Sequence, residues 1–172
     1  MSAFVPGMDR GEVLGLDFGR VITAESTDGA PTIFSDEYQG TLPRPDAIPT
    51  IQDLAANRYS DRIHIVSKCK PRVQRRTLEL LELWDFYEKT GINPDNVHFC
   101  RESAEKAAIA EELGVTQFVD DRFKVLRRMS ESIGRILFIP PEEIKETKQL
   151  ELPPGIIAVE GWPGVRAVLL AG

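Results

Sequence analysis

Carboxylates stand at the ends of two apolar runs in this chain, with a hydroxyl and an ammonium between them. Asp17 follows Val13-Leu14-Gly15-Leu16, and Asp120-Asp121 follows Gln117-Phe118-Val119. Ser67 closes Ile63-His64-Ile65-Val66, and Lys106 lies on a helical stretch between Ser67 and Asp120. In an α/β fold the carboxyl ends of parallel strands share one edge of the sheet, and ligands bind there. Carboxylates suit a hard divalent cation, while a hydroxyl and an ammonium suit the oxygens of an anion. The set reads as a site for phosphate together with magnesium.

Each of these residues also has a purely structural use. Asp17 and Ser67 are good turn or cap residues at a strand end. Lys106 has Glu102 at i,i+4, the spacing of a solvated ion pair on a helix face. Asp120-Asp121 suits the start of a helix running from Arg122, where the dipole favours acids. Two adjacent carboxylates still repel unless a cation or donors relieve them. Lys68, Lys70, Arg72, Arg75 and Arg76 cluster at a predicted helix N-terminus. Cations oppose the dipole there, so they mark either an anion nearby or a solvated face balanced by Glu79 and Glu82. Arg20, Arg122 and Arg127 are further candidates for the same rim.

The elements that must position these groups alternate along the chain. Strand-like runs occur at 13–16, 62–66, 96–100, 116–119, 135–139 and 156–159. Most are continuously apolar, the pattern of parallel strands covered on both faces. Helical segments are expected at 71–89, with Pro71 first and Gly91 just beyond, and at 103–113, with Ser103 as N-cap and Gly114 as C-cap. Others are expected at 122–132 and 141–149, and the tail from Trp162 to Leu170 reads as a last packing helix, with Trp162 in the core. Alternation of this kind implies a doubly wound, three-layer α/β sandwich around a mainly parallel sheet. Residues 23–46 are irregular, and Asp28-Gly29 suits a tight turn joining Val21 to Phe34 in a hairpin. His64 and His98 read as core or edge residues of strands, and Cys69 lacks a histidine partner that would make it a nucleophile.

The 172 residues suffice for one domain with a proper core, spanning 1–172. With 42% hydrophobic and 28% charged residues, the composition is that of a soluble globular protein. A net charge of −6 argues against bulk nucleic-acid binding. Two cysteines, Cys69 and Cys100, fit a reducing compartment, and the cytoplasm is the default expectation. No apolar run approaches the ~20 residues that span a bilayer, and Met1 to Arg10 lacks the pattern of a signal peptide.

The order Asp, Ser, Lys, Asp-Asp resembles the four motifs of the haloacid dehalogenase superfamily, whose members are mostly phosphatases. Asp17-Phe18-Gly19-Arg20-Val21-Ile22 is similar to the first motif, Ser67 to the second, Lys106 to the third, and Phe118-Val119-Asp120-Asp121-Arg122 to the fourth. The resemblance spans roughly residues 12–139. It implies a magnesium-dependent phosphomonoester hydrolase that works through an aspartyl-phosphate on Asp17. Ser67 and Lys106 would complete the catalytic set. Phe18, Gly19, Ser67, Lys68 and Lys106 would bind the phosphoryl group. Asp17, the Gly19 carbonyl, Asp121 and Asp120 would serve the metal, Asp121 as the better direct ligand. The family usually carries a second Asp where this chain has Gly19, and that side chain serves as acid and base. The resemblance also implies a flap at 23–46. The spans 18–66 and 68–105 are too short for a full cap domain, so the chain reads as capless. Capless members act on large substrates or cover the site with a neighbouring subunit, which makes a homo-oligomer one candidate arrangement. The Asp-Asp-Arg ending is similar to that of small nucleotidases, so a nucleotide is one candidate substrate among small or macromolecular phosphates. The competing reading is a nearly inert phosphate-binding module that kept the fold, with Gly19 in its favour. A response-regulator receiver has its acids in the wrong order.

Overall fold

The computed structural model describes residues 11–25, 29–146 and 151–171. Six strands, β1 (Leu14–Leu16), β2 (Ile63–Lys68), β3 (Val97–Cys100), β4 (Gln117–Asp120), β5 (Gly134–Ile139) and β6 (Ile156–Glu160), form one sheet. Its order is β3-β2-β1-β4-β5-β6, and every pairing is parallel. Helices α1 (Ala47–Leu54), α2 (Pro71–Leu83), α3 (Phe86–Thr90) and α6 (Gly161–Leu169) cover one face, with α4 (Ser103–Leu113) and α5 (Phe123–Leu126) on the other. This is the doubly wound three-layer sandwich that the alternation of elements implies. Strand direction alternates the side chains between two cores: Leu14, Leu16, Ile63 and Ile65 meet α1 and α6, whereas Val13, Val66 and Phe118 meet α4 and α5.

The strand order places the site. β1 and β4 are neighbours, yet the chain leaves them towards opposite edges, so a crevice opens where the winding reverses. Asp17 and Asp120-Asp121 follow these two strands, and Asp17 N donates to Val119 O at 2.9 Å. Gly15 allows the close approach, since a Cβ on it would come within 2.4 Å of the Phe118 ring. No other residue fits there without displacing that ring.

The helix α4 matches its expected bounds, but its N-cap is Glu102 rather than Ser103, because Glu105 reaches back to the Glu102 N–H at 2.9 Å. Gly114 ends it in the left-handed region, φ 70°. The helix expected over 71–89 is two helices. Asp85 takes φ 54°, a conformation that ends α2 and lets Phe86 turn back into the core. Nothing in the periodicity announces this break, since Asp85 is neither Gly nor Pro. The expected helix at 122–132 contracts to α5, followed by turns, and the one at 141–149 is a 3-10 segment over Pro141–Glu146, with 147–150 outside the described residues. The sequence reading placed no element at α1, where Ala47, Ile48, Ile51 and Leu54 bury one face despite Pro49 in the first turn. A π-helical turn, Ala55–Tyr59, continues it.

The expected hairpin from Val21 to Phe34 lies partly outside the described residues, since its turn residue Asp28 is not among them. The pairing that is described joins Thr23 to Pro43 in an antiparallel bridge, flanked by Ala24 N to Leu42 O (2.8 Å) and Arg44 N to Ile22 O (2.7 Å). The flap is therefore a broad loop closed at its base. Arg76 of α2 ties it down, donating to Ile33 O (2.8 Å) and Ser35 O (3.0 Å) with its guanidinium stacked over Tyr38. No cap domain is present among the described residues.

Candidate active site

Lys106 Nζ lies 2.9 Å from Asp17 Oδ1 and 2.8 Å from Asp120 Oδ2, and all three side chains are nearly sealed from solvent. The i,i+4 pair with Glu102 does not form; Lys106 turns inward from the first turns of α4. Burial alone would lower the Lys106 ammonium, but the Asp17 and Asp120 carboxylates overturn that and hold it above the ordinary lysine value. Asp120 is fully buried and spends both oxygens inside the protein, one on Lys106 and Oδ1 on the Arg122 N–H at 2.9 Å. It does not line the cavity, so its geometry suits positioning Lys106 better than direct contact with a ligand.

A cavity of about 270 Å³ opens over this floor, lined by Asp17, Phe18, Gly19, Ser67, Lys68, Lys106 and Asp121 among others. Apart from Asp120, every proposed site residue thus reaches one volume. The basic cluster divides instead. Lys68 lines this cavity, while Arg72, Arg75 and Arg76 border a separate shallow groove with Tyr38 and Glu79. Arg122 adds to the rim and Arg127 does not. His64 and His98 sit on the adjacent strands β2 and β3, with His64 Nδ1 2.9 Å from His98 Nε2, away from the cavity. Trp162 is core, its Nε1 donating to Val21 O at 2.7 Å.

Three carboxylates, Asp17, Asp120 and Asp121, can bring oxygens within 4.8 Å of one another. Burial, then the Asp17 charge, pushes Asp121 up to about 7; the same causes push Asp120 up to about 6 against the pull of Lys106. Arg20 NH1 lies 3.2 Å from Asp121 Oδ2 but off hydrogen-bonding alignment, so that buried oxygen has no hydrogen bond. Arg20 is itself shared with Glu25 at 2.7 Å and with Glu143. The cluster is short of positive charge and holds a buried oxygen without a hydrogen bond, and both features fit a divalent cation.

Sequence reading missed Arg44. Its Nε donates to Arg20 O at 2.7 Å, and its other nitrogens grip Glu142 at 2.9 and 3.1 Å. Together with Thr23 Oγ1, which accepts from Arg20 N at 2.9 Å, it fixes Arg20 at φ 65°, a left-handed setting that costs a non-glycine residue roughly 1–2 kcal/mol. Arg44 sits between two prolines in an irregular stretch, where no periodicity marks it as inward.

The raised carboxyls have a consequence for stability. Between about 4 and 7 the native state holds protons that the unfolded chain has released, so without metal stability should fall as pH rises through that window. Magnesium needs the ionised oxygens, so its stabilising effect should grow over the same range. At saturation, about 100 times the dissociation constant, binding adds roughly 2.7 kcal/mol, or roughly 5–10 °C in Tm for a chain of this size. Melting curves with and without magnesium should thus differ clearly near pH 8 and little near pH 5. Coincident curves at the higher pH would exclude the metal site.

No protein-family model matches the sequence, and no curated protein matches it. Solved structures do. D,D-heptose 1,7-bisphosphate phosphatase from Burkholderia thailandensis aligns over 94% of this chain and 99% of its own, with a TM-score of 0.64 and 14% identity. An uncharacterised protein from Listeria monocytogenes serotype 4b aligns over 93% and 96%, with a TM-score of 0.58 and 14% identity. A candidate HAD-like phosphatase from Mesorhizobium loti aligns over 93% and 85%, with a TM-score of 0.52 and 17% identity. The chain has the haloacid dehalogenase-like fold. Among the described residues, no helix is long and apolar enough to cross a membrane.

Proposed function

We propose that the chain hydrolyses phosphate monoesters, with Asp17 as nucleophile and magnesium bound beside it. The observation that carries this reading is the buried Asp17–Lys106–Asp120 chain at the floor of a cavity that Ser67 and Asp121 also line. An Asp17 oxygen attacks phosphorus, the bond from phosphorus to the ester oxygen breaks, and an aspartyl-phosphate forms. The departing alkoxide takes a proton from water. Water then attacks the aspartyl-phosphate at phosphorus, which returns the Asp17 carboxylate and releases inorganic phosphate with one proton. Hydrolysis is balanced by the water consumed.

Lys106 holds the attacking carboxylate and offsets charge on the phosphoryl oxygens, the main demand of phosphoryl transfer. Asp120 fixes the ammonium in that position. Ser67 presents its hydroxyl to a phosphoryl oxygen, and Lys68 and Arg122 raise the local concentration of anions at the mouth. Asp17, Asp121 and the Gly19 carbonyl would hold magnesium, which supplies Lewis-acid charge to the phosphate when bound. The chain's own flap walls the cavity, so the reading calls for a small phosphate ester and needs no second subunit.

Gly19 supports the second reading, a phosphate-binding module with little turnover, because position 19 itself carries no carboxyl to protonate the leaving oxygen. Release of inorganic phosphate from a panel of esters separates the two. Hydrolysis that requires magnesium and stops on chelation supports the enzyme; no release from any ester by folded, magnesium-loaded protein supports the module.

A further inference from the structure

Beyond the carboxylates the cavity changes character. Its far wall is built by Phe18, by Ile33 and Thr41 of the flap, and by Val73 and Thr77 of α2, with Phe34 at the mouth. Among the described residues, α2 contributes no ionisable side chain to this lining, and Glu25, the flap's ionisable contribution, is spent on Arg20 at 2.7 Å. Phe18 is locked in place by stacking on Trp84, ring centroids 5.9 Å apart, and Trp84 Nε1 donates to Thr41 O at 3.1 Å. These contacts within the chain hold Phe18 and the flap at Thr41 against α2 and Trp84. A charged group resting on this wall, away from Arg20, Lys68 and Arg122 at the rim, would find no counter-charge on Phe18, Ile33, Val73 or Thr77, and burying it unpaired is costly. A polyol would leave several hydroxyls without partners.

One polar atom in the wall is unassigned. Thr41 is 2% exposed, and its Oγ1 has no hydrogen-bond partner. Buried hydroxyls are almost always paired, so this one fits a ligand bearing a single complementary group. Thr77, by contrast, spends its hydroxyl on Val73 O at 2.8 Å. The cavity's about 270 Å³ sits just under the usual range of ~300–1,000 Å³ for ligand sites, enough for a phosphoryl group and one ring.

Gly19 bears on the same question independently. With no side chain to protonate the leaving oxygen, an aliphatic alkoxide departs poorly. A phenoxide, whose conjugate acid ionises near pH ~10 as tyrosine does, departs without that help. The apolar wall and the missing acid select the same kind of molecule.

We propose that the substrate is a phosphate monoester of a small, uncharged phenol, its ring against Phe18, Ile33 and Val73 and a distal polar substituent on Thr41. This rests on the phosphatase reading above. Four probes test it: phenyl phosphate, 4-hydroxyphenyl phosphate, cyclohexyl phosphate and glucose 6-phosphate, with inorganic phosphate as reference. Binding is measured by calorimetry, inorganic phosphate on the magnesium-loaded wild type and the esters on the Asp17→Asn protein at saturating magnesium, which cannot consume them, and turnover on the wild type. Phenyl and cyclohexyl phosphate should both bind at least about tenfold tighter than glucose 6-phosphate, from burial of the ring. Phenyl phosphate should turn over far faster than cyclohexyl phosphate. The 4-hydroxyl should tighten binding by roughly threefold to tenfold, and the shape-preserving Thr41→Val change should erase that gain. Glucose 6-phosphate binding as tightly as phenyl phosphate, equal turnover of the two ring esters, or a 4-hydroxyl gain that survives Thr41→Val would each overturn the proposal. Those results would leave the phosphatase reading standing. If neither inorganic phosphate nor any ester binds, the phosphate site itself is refuted and this proposal falls with it.

Discussion

Asp17→Asn is expected to reduce ester hydrolysis by roughly 10⁴-fold or more, the scale of loss when a catalytic nucleophile is removed. The amide keeps the shape of the carboxylate and can still accept from Lys106, so binding geometry should survive. Its effect on stability has two opposed parts. Lys106 loses one of the two carboxylates that hold its charge, while Asp120 and Asp121 lose the neighbour that raises them. The melting temperature should therefore move little without metal, and both carboxyls should ionise at lower pH than in the wild type. Titration of the variant would show that directly. A variant that stays folded and keeps wild-type turnover would rule out an aspartyl-phosphate on Asp17.

Gly19→Asp is expected to act in the opposite direction. The position has room: a Cβ there meets nothing within 4 Å, and Gly19 is not among the residues with positive φ. A carboxyl at this place would protonate the leaving oxygen and then activate water, help worth ~10²–10⁴-fold. The gain should be large for alkyl esters such as cyclohexyl phosphate and small for phenyl phosphate, whose leaving group needs less protonation. The added charge joins three crowded carboxylates, so the metal-free variant should melt lower and gain more from magnesium. If wild type and a folded Gly19→Asp variant are both inactive across esters with magnesium present, the binding-module reading is the better one.

These two tests use positions that the linear sequence picks out. Asp17, Ser67 and Asp120-Asp121 are legible because each ends an apolar run, and a parallel sheet sends all such ends to one edge. The four inner strands, β1, β2, β4 and β5, are legible for the same reason: strands covered on both faces must be largely apolar. Helix ends marked by chain chemistry, such as Gly114 and Pro71, are equally readable, because they depend on residues a few positions away.

What depended on distant partners was not readable. The break at Asp85 lets Phe86 reach a core formed largely by other segments. The flap closes on Pro43 rather than on the stretch near Phe34, since a short tight turn is a local preference and the bridge to 42–44 is held by Ile22, Ala24 and Arg44 across the loop. Arg44 and Thr41 lie among prolines and polar residues with no period to mark them. Their burial follows from what packs above them. Lys106 shows the division most sharply. Its sequence neighbours offered a solvated pair with Glu102, and the choice of Asp17 and Asp120 instead was made by the β1–β4 pairing, which brings two carboxylates under α4. Sequence determined which chemical groups the chain carries and which local segments form strands. Only the tertiary structure decided which charges are buried together and that the wall facing them is apolar, because burial and charge proximity depend on packing between segments far apart in the chain.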